Sequence, residues 1–263
     1  MNHLRPAAAL ALLAVCATCG GNNESAPAGP PPGATRVDES KAGRLTGRVV
    51  LTGDAPANPP IKLSADPFCA GQHPNGATFE NFVVKDGGLE NVFVYVKDGL
   101  GNYYFDLPSE PAKLDQQACQ YRPHVLGVRV GQPLEISNSD ETMHNVHAMP
   151  ETNREFNLGQ PIKRQVDRRT FTAREVMVPF KCNVHSWMQA FVGVMDHPYF
   201  AVTHDGGTFA LERLPAGTYT VEAWHEKLGT QTQKVTLGEK QSSELTFTFN
   251  AQGGGREGAV KGL

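Results

Sequence analysis

The sequence predicts an all-β protein, and two observations carry that reading. Glycine and proline, 27 and 19 of the 263 residues, recur about every ten residues; both punctuate regular structure and so mark turns. Between them lie short apolar runs that alternate with polar residues, the two-residue period of a strand with one buried face. Hydrophobic residues make up 40% and charged residues 19%, ordinary for a chain that can bury a core. A formal net charge of -3, from 24 Lys and Arg against 27 Asp and Glu, gives no reason to expect nucleic-acid binding.

Taken in order, a first strand lies between Gly47 and Gly53, and others follow over Phe79–Val84 and Asn91–Lys97. Val125, Val128 and Val130 lead to a turn at Gly131; Leu134–Ser137 alternates, as do Val176, Val178 and Phe180, and then Val192 and Val194. Glu151–Thr172 is less regular and reads as a long loop with a single helical turn. From Tyr199 on, Ala201–Thr203, Phe209–Leu211, Tyr219–Trp224, Val235–Leu237 and Leu245–Phe249 are strands, with turns at Asp205-Gly206-Gly207 and Leu214-Pro215-Ala216-Gly217.

One cluster of residues carries chemistry. Cys182-Asn183-Val184-His185-Ser186-Trp187-Met188 places a thiolate, an imidazole and a thioether within seven residues of an alternating strand, and a second imidazole stands upstream in Met143-His144-Asn145-Val146-His147. Soft sulfur with imidazole suits copper, and two His and one Cys with a weak axial Met make a blue-copper site. The candidate ligands are therefore His144, Cys182, His185 and Met188. His147 follows His144 at a spacing that turns it away on an extended segment, and His124 and His225 read as structural.

These residues resemble the cupredoxins, most of all amicyanin and its plastocyanin-like relatives. The resemblance covers residues 112–196 and includes Asn138-Ser139-Asp140 before the first ligand. It implies a Greek-key β-sandwich, one type I copper ion, one ring nitrogen from each His, Cys182 as thiolate and Met188 as axial ligand. It also implies that Asn145 ties the two ligand loops together without touching the metal. Asn183 stands beside the Cys where Thr or Ser is usual.

Cys69 and Cys119 remain as an even pair, which in an oxidising compartment reads as a disulfide. Residues 197–250 hold a second pattern, Asp205-Gly206-Gly207-Thr208-Phe209 followed by Leu211, Leu214-Pro215, Gly217, Tyr219 and Val221. It resembles the carboxypeptidase regulatory-like, transthyretin-type β-sandwich, which implies a scaffold or binding role. That half has too few strands to close a sandwich, so residues 45–111 are expected to complete it, with the copper domain inserted between.

At the N-terminus Arg5 precedes the apolar run Ala7–Val15, too short for a bilayer span of about 20 residues. Residues 1–19 read as an export signal. Cys16 and Cys19 are followed by Gly20, Gly21 and a proline-rich stretch, which resembles a bacterial lipoprotein leader; that implies lipidation at Cys19, with Cys16 or simple cleavage as alternatives. Residues 20–44 read as a flexible linker and 251–263 as a disordered tail.

The function expected is that of a periplasmic or otherwise extracytoplasmic electron carrier, its partners of the kind of a c-type cytochrome or a periplasmic dehydrogenase. The alternative is a copper-binding or scaffold protein whose metal is cargo or structural. An enzyme is not expected, since enzymes of this class add copper sites built from further histidine sets, often His-x-His, and none occurs among the nine histidines. By resemblance, the His185 ring edge is where electrons enter, amid Trp187, Met143 and Met149. Lys163, Arg164, Arg168, Arg169 and Arg174 form a basic cluster suited to steering an acidic partner.

Overall fold

Strict alternation in one long strand starts the architecture. In β1 (Gly43–Thr52) every second residue from Gly43 to Leu51 is buried, so one face of the strand belongs to a core. The computed structural model describes residues 30–252; the expected export signal, Cys16, Cys19 and the chain beyond Gln252 lie outside the described residues. β1 pairs in parallel with β18 (Ser242–Asn250) and antiparallel with β15 (Thr208–Leu214). The short β3 (Gly88–Leu89) and β2 (Val84–Lys85) complete this sheet. Facing it is a sheet in the order β14 (Phe200–Val202), β4 (Phe93–Asp98), β16 (Gly217–His225), β17 (Gly229–Leu237). Leu45, Val49, Val94, Val96, Leu211, Val221, Phe247 and Phe249 fill the space between. Strands from before and after the middle of the chain thus share one sandwich.

The intervening residues form a second sandwich. Its first sheet runs β10 (Phe156–Gln160), β9 (His144–Ala148), β12 (Glu175–Lys181), β13 (Gln189–Met195), β7 (Val125–Arg129). The other runs β11 (Val166–Thr170), β8 (Pro133–Asn138), β5 (Ala112–Gln117), β6 (Gln120–Arg122). The β13–β7 and β5–β8 pairs are parallel and the rest antiparallel. Leu114, Leu134, Ile136, Val146, Val178, Phe180 and Val192 make the core.

A seam joins the two sandwiches. Gly127 of β7 and Gly193 of β13 lie side by side in register, leaving a patch of sheet without side chains. The Phe93 and Phe200 rings of the other sandwich, stacked with centroids 5.6 Å apart, fill it. A Cβ on Gly193 would lie 2.5 Å from Phe93 Cζ and 2.6 Å from Met177 Cε.

Several elements differ from the sequence reading. Glu151–Thr172 holds β10 and β11 rather than one loop; β11 is an edge strand whose Asp167, Arg168 and Arg169 put charges on both faces, as edges often carry them, and so hid its period. Lys163 pairs with Glu141, Arg168 with Glu135 and Arg174 with Asp196, which breaks up the basic cluster. Of Phe79–Val84, only Val84 reaches a strand; Phe82 instead exchanges both backbone bonds with the Asn58 amide, at 2.9 and 2.8 Å. The described part of the linker is not a free tether, because Thr35 bridges Tyr103 and Arg36 pairs with Asp106.

Two buried histidines make this fold acid-sensitive. His197 Nε2 donates to the Val96 carbonyl at 2.9 Å, and its Nδ1 accepts from Tyr199 N at 3.2 Å; only the neutral ring does both. Burial depresses its pKa, and burial lowers that of His225 to about 4. The unfolded chain takes up these protons first, so stability is full above about pH 6.5 and falls as pH drops toward 4. Urea titrations should show a loss of about 2 to 3 kcal/mol per ring between pH 7 and 4.5, absent from a His197→Gln, His225→Gln variant; parallel profiles would contradict this. Gly193→Ala overfills the seam and should cost about 1–3 kcal/mol in the same assay at pH 7, and a value near zero would mean that the seam yields.

Candidate metal centre

The candidate ligand residues come from two adjoining strand ends. His144 opens β9, and Cys182 and His185 lie on the turn between β12 and β13. That turn is closed on itself: Met188 N donates to His185 O at 2.9 Å and Cys182 N to Met188 O at 3.2 Å. Asn145 clips the two segments together. Its Oδ1 accepts from Asn183 N at 2.6 Å and Val184 N at 3.3 Å, while its own N–H points at Cys182 Sγ at 3.5 Å.

The donors converge. His144, Cys182 and His185 are buried, and each offers one atom within 4.8 Å of the others. The Nδ1 atoms of the two imidazoles face each other at 2.9 Å, and Cys182 Sγ lies 3.9 Å from His185 Nδ1. The outer ring nitrogens settle the tautomers. His144 Nε2 meets Asp140 Oδ2 at 2.9 Å and His185 Nε2 meets Asp66 Oδ2 at 2.9 Å. Burial raises both carboxyls, but their hydrogen bonds outweigh it and hold them below the usual range; as ionised acceptors they require an N–H on each Nε2. Each Nδ1 then carries a lone pair, and two lone pairs meet out of water. Only a positive charge between them, a proton or a metal ion, makes that arrangement favourable. Although burial pulls both imidazole pKa values down, Asp140, Asp66 and Cys182 raise them overall.

Cys182 meets the same demand from the other side. Burial pushes its thiol up, yet His144, His185 and the N–H groups of Asn145 and His185 bring it down to about 6. A ready thiolate beside two imidazoles suits a soft or borderline transition metal, so the donor set fits copper. Met188 is buried in the same core cluster as Cys182. His147 points elsewhere, to Glu155 and Asn183. His124 bonds Glu226 and Gln189 O, and His225 packs on Phe82 and Phe249. Cys69 and Cys119 form a disulfide whose Cys69 Sγ is 3.7 Å from His185 Nε2.

Two findings were outside the sequence reading. His185 is not an exposed edge: it is 3% exposed, and Asp66 with the short helix α1 (Pro67–Gln72) covers it. Asp66 and Asp140 hold the imidazoles, and neither was foreseen in that role. A local signal existed for α1, since Asp66 before Pro67 is a helix start; Asp66 accepts from Phe68 N and Cys69 N as its cap.

Among known proteins, residues 190–250 match the family model of the carboxypeptidase regulatory-like domain. No curated protein matches the chain. Among solved structures, a copper-containing nitrite reductase from Thermus scotoductus SA-01 is 19% identical, with a TM-score of 0.32, covering 38% of this chain and 26% of that one. A Cu(I) form of amicyanin carrying a methionine-to-alanine substitution is 25% identical, with a TM-score of 0.29, covering 34% and 86%. A purple cupredoxin from Nitrosopumilus maritimus is 20% identical, with a TM-score of 0.28, covering 32% and 98%. The chain thus spans about a quarter of the nitrite reductase, and the three likenesses take in 32% to 38% of this chain.

Replacing Asn145 with Ala leaves the N–H groups of Asn183 and Val184 without their acceptor. Each lost bond is worth about 1 kcal/mol, so urea unfolding should lose about 1–3 kcal/mol, and alkylation of Cys182 in the metal-free protein should speed up. An unchanged alkylation rate would show that Asn145 does not hold the loop shut.

Proposed function

We propose that this chain is an exported copper protein that holds one type I ion through His144, Cys182, His185 and Met188 and passes single electrons between redox partners. The observation that carries the reading is the buried pair of facing Nδ1 atoms at 2.9 Å, a place built for a cation, with a low-pKa thiol beside it. Bound there, copper supplies a couple between Cu(I) and Cu(II). The chain's part is to keep the donors from moving as the charge changes. Asn145 clips the loops, the core packs Cys182 and Met188, and a carboxylate pins each imidazole from behind. With four ligands in place no position is left for a substrate, so we propose a carrier and not an enzyme.

Export, a lipid anchor on Cys19 and a periplasmic setting belong to the same proposal, supported by the N-terminal pattern and by the disulfide. The partner would be a redox protein such as a c-type cytochrome or a periplasmic dehydrogenase. The half-buried Trp187 ring lies 5.0 Å from that of His185 and extends it toward the surface; Met143, beside His144 in sequence, is 48% exposed. The carboxypeptidase regulatory-like portion is proposed as a scaffold.

One observation favours a second reading, in which copper is cargo or structural: the outer nitrogen of His185 is covered by Asp66. Voltammetry separates the two, because a carrier gives a reversible one-electron couple at moderate potential and a storage site does not. Copper-loaded protein should be intensely coloured by thiolate-to-Cu(II) charge transfer. Cys182→Ser should abolish the colour, and Met188→Leu should keep copper while raising the potential. A Cys182→Ser protein with the wild-type spectrum would remove Cys182 from the site.

A further inference from the structure

The partners of the two imidazoles form a closed circuit that runs outside the ligand loops. Asp66 precedes the inserted sandwich in sequence. Its Oδ1 caps α1 by accepting from Phe68 N at 2.8 Å and Cys69 N at 3.1 Å. Its Oδ2 accepts from His185 Nε2 at 2.9 Å and from Thr142 Oγ1 at 3.0 Å. Cys69, in α1, is bonded to Cys119. Cys119 and Ala118 form the turn between β5 and β6, both with left-handed φ, 54° and 51°, which non-glycine residues resist. The N–H groups of that turn both donate to Asp140, at 2.8 and 2.7 Å, and Asp140 Oδ2 takes His144 Nε2. The disulfide therefore links the carboxylate behind one imidazole to the turn that holds the carboxylate behind the other. The Trp187 indole closes the same ring, donating to Cys119 O at 3.0 Å.

We propose that Asp66 is the positioning residue of His185, that it aims Nδ1 inward and shuts the ring's outer edge from water, and that the Cys69–Cys119 disulfide is the tie that keeps it there. The physical reason is reach. α1 has six residues and shares no ladder with either sandwich; besides packing, the bond from His73 Nε2 to the Ala118 carbonyl at 2.7 Å and that from Thr142 to Asp66, the disulfide is its one covalent tie. A hydrogen bond from the outer nitrogen to a carboxylate also makes the inner nitrogen a stronger donor, and such partners are typically worth 10- to 100-fold in metal affinity. The proposal rests on His144, Cys182 and His185 being metal ligands, but not on what the metal does once bound.

The test reads the ring N–H directly. Full-length protein labelled with nitrogen-15 at histidine, metal-free and loaded with Zn(II), should show slowly exchanging ring N–H signals for both His144 and His185. In Asp66→Ala the His185 signal should exchange away while that of His144 persists, and Zn(II) affinity should fall about 10- to 100-fold. Thr142→Val, which spares the His185 bond, should keep the signal. A Cys69→Ala, Cys119→Ala protein should lose the His185 signal with Asp66 still present. A His185 N–H that stays protected in Asp66→Ala, at unchanged Zn(II) affinity, overturns the proposal; protection kept in the double cysteine variant overturns the disulfide's part. A wild-type protein that binds neither zinc nor copper would instead defeat the metal reading, while the metal-free spectra would still decide whether Asp66 holds the ring.

Discussion

Two ring nitrogens with lone pairs aimed at each other, 2.9 Å apart and out of water, are the constraint around which the inserted sandwich is organised. Left to themselves, the imidazoles would turn apart or present an N–H to one another. They cannot, because each is held from behind by an ionised carboxylate and from the sides by a packed core. The polarised thiol, the Asn145 clip and the turn closed by Met188 all follow from keeping that unfavourable pair together. Local frustration of this kind is what functional sites impose on otherwise consistent folds.

The reach of sequence reasoning follows from distance along the chain. Cys182, His185 and Met188 could be seen together because one turn carries them, and His144 because its chemistry matches theirs. The strands of alternating Val, Leu and Phe were legible for the same local reason. Asp66 and His185 are 119 positions apart, and no periodicity links them. Asp140 was noted as the end of a strand, but its service to His144 and to the 118–119 turn appears only when β5 and β8 are paired. The exposed His185 edge was expected from a resemblance confined to residues 112–196, and Asp66, which covers the ring, lies outside that stretch. β10 and β11 were missed because both are short edge strands: β10 has only Phe156 and Leu158 to show its period, and β11 sets three charges in a row.

The seam decides how far the inserted sandwich is independent. Phe93 and Phe200 lie on a surface that Gly127 and Gly193 leave bare, Phe191 and Trp224 pack with centroids 5.1 Å apart, and His124 reaches across to Glu226 at 2.6 Å. Burial raises the Glu226 carboxyl, but His124 and Lys227 hold it below its usual range, so His124 meets an ionised acceptor in a nearly dry place. Aromatic rings on bare backbone give a contact with little freedom to slide. The outer sandwich therefore fixes the orientation of the inserted one through a packed contact.

The parallel pairing of β1 with β18 has a consequence in time. A ribosome delivers β1 first and β18 last, and every strand of the inserted sandwich emerges between them. The inner domain can close on contacts of modest sequence separation, whereas the outer one must wait for the most distant pairing in the chain, the slow kind of step. Until then β1 is an open edge, the feature by which nascent chains join their neighbours. Production of this protein is thus most exposed to aggregation late, when the inserted sandwich is already built and the outer one still lacks β18.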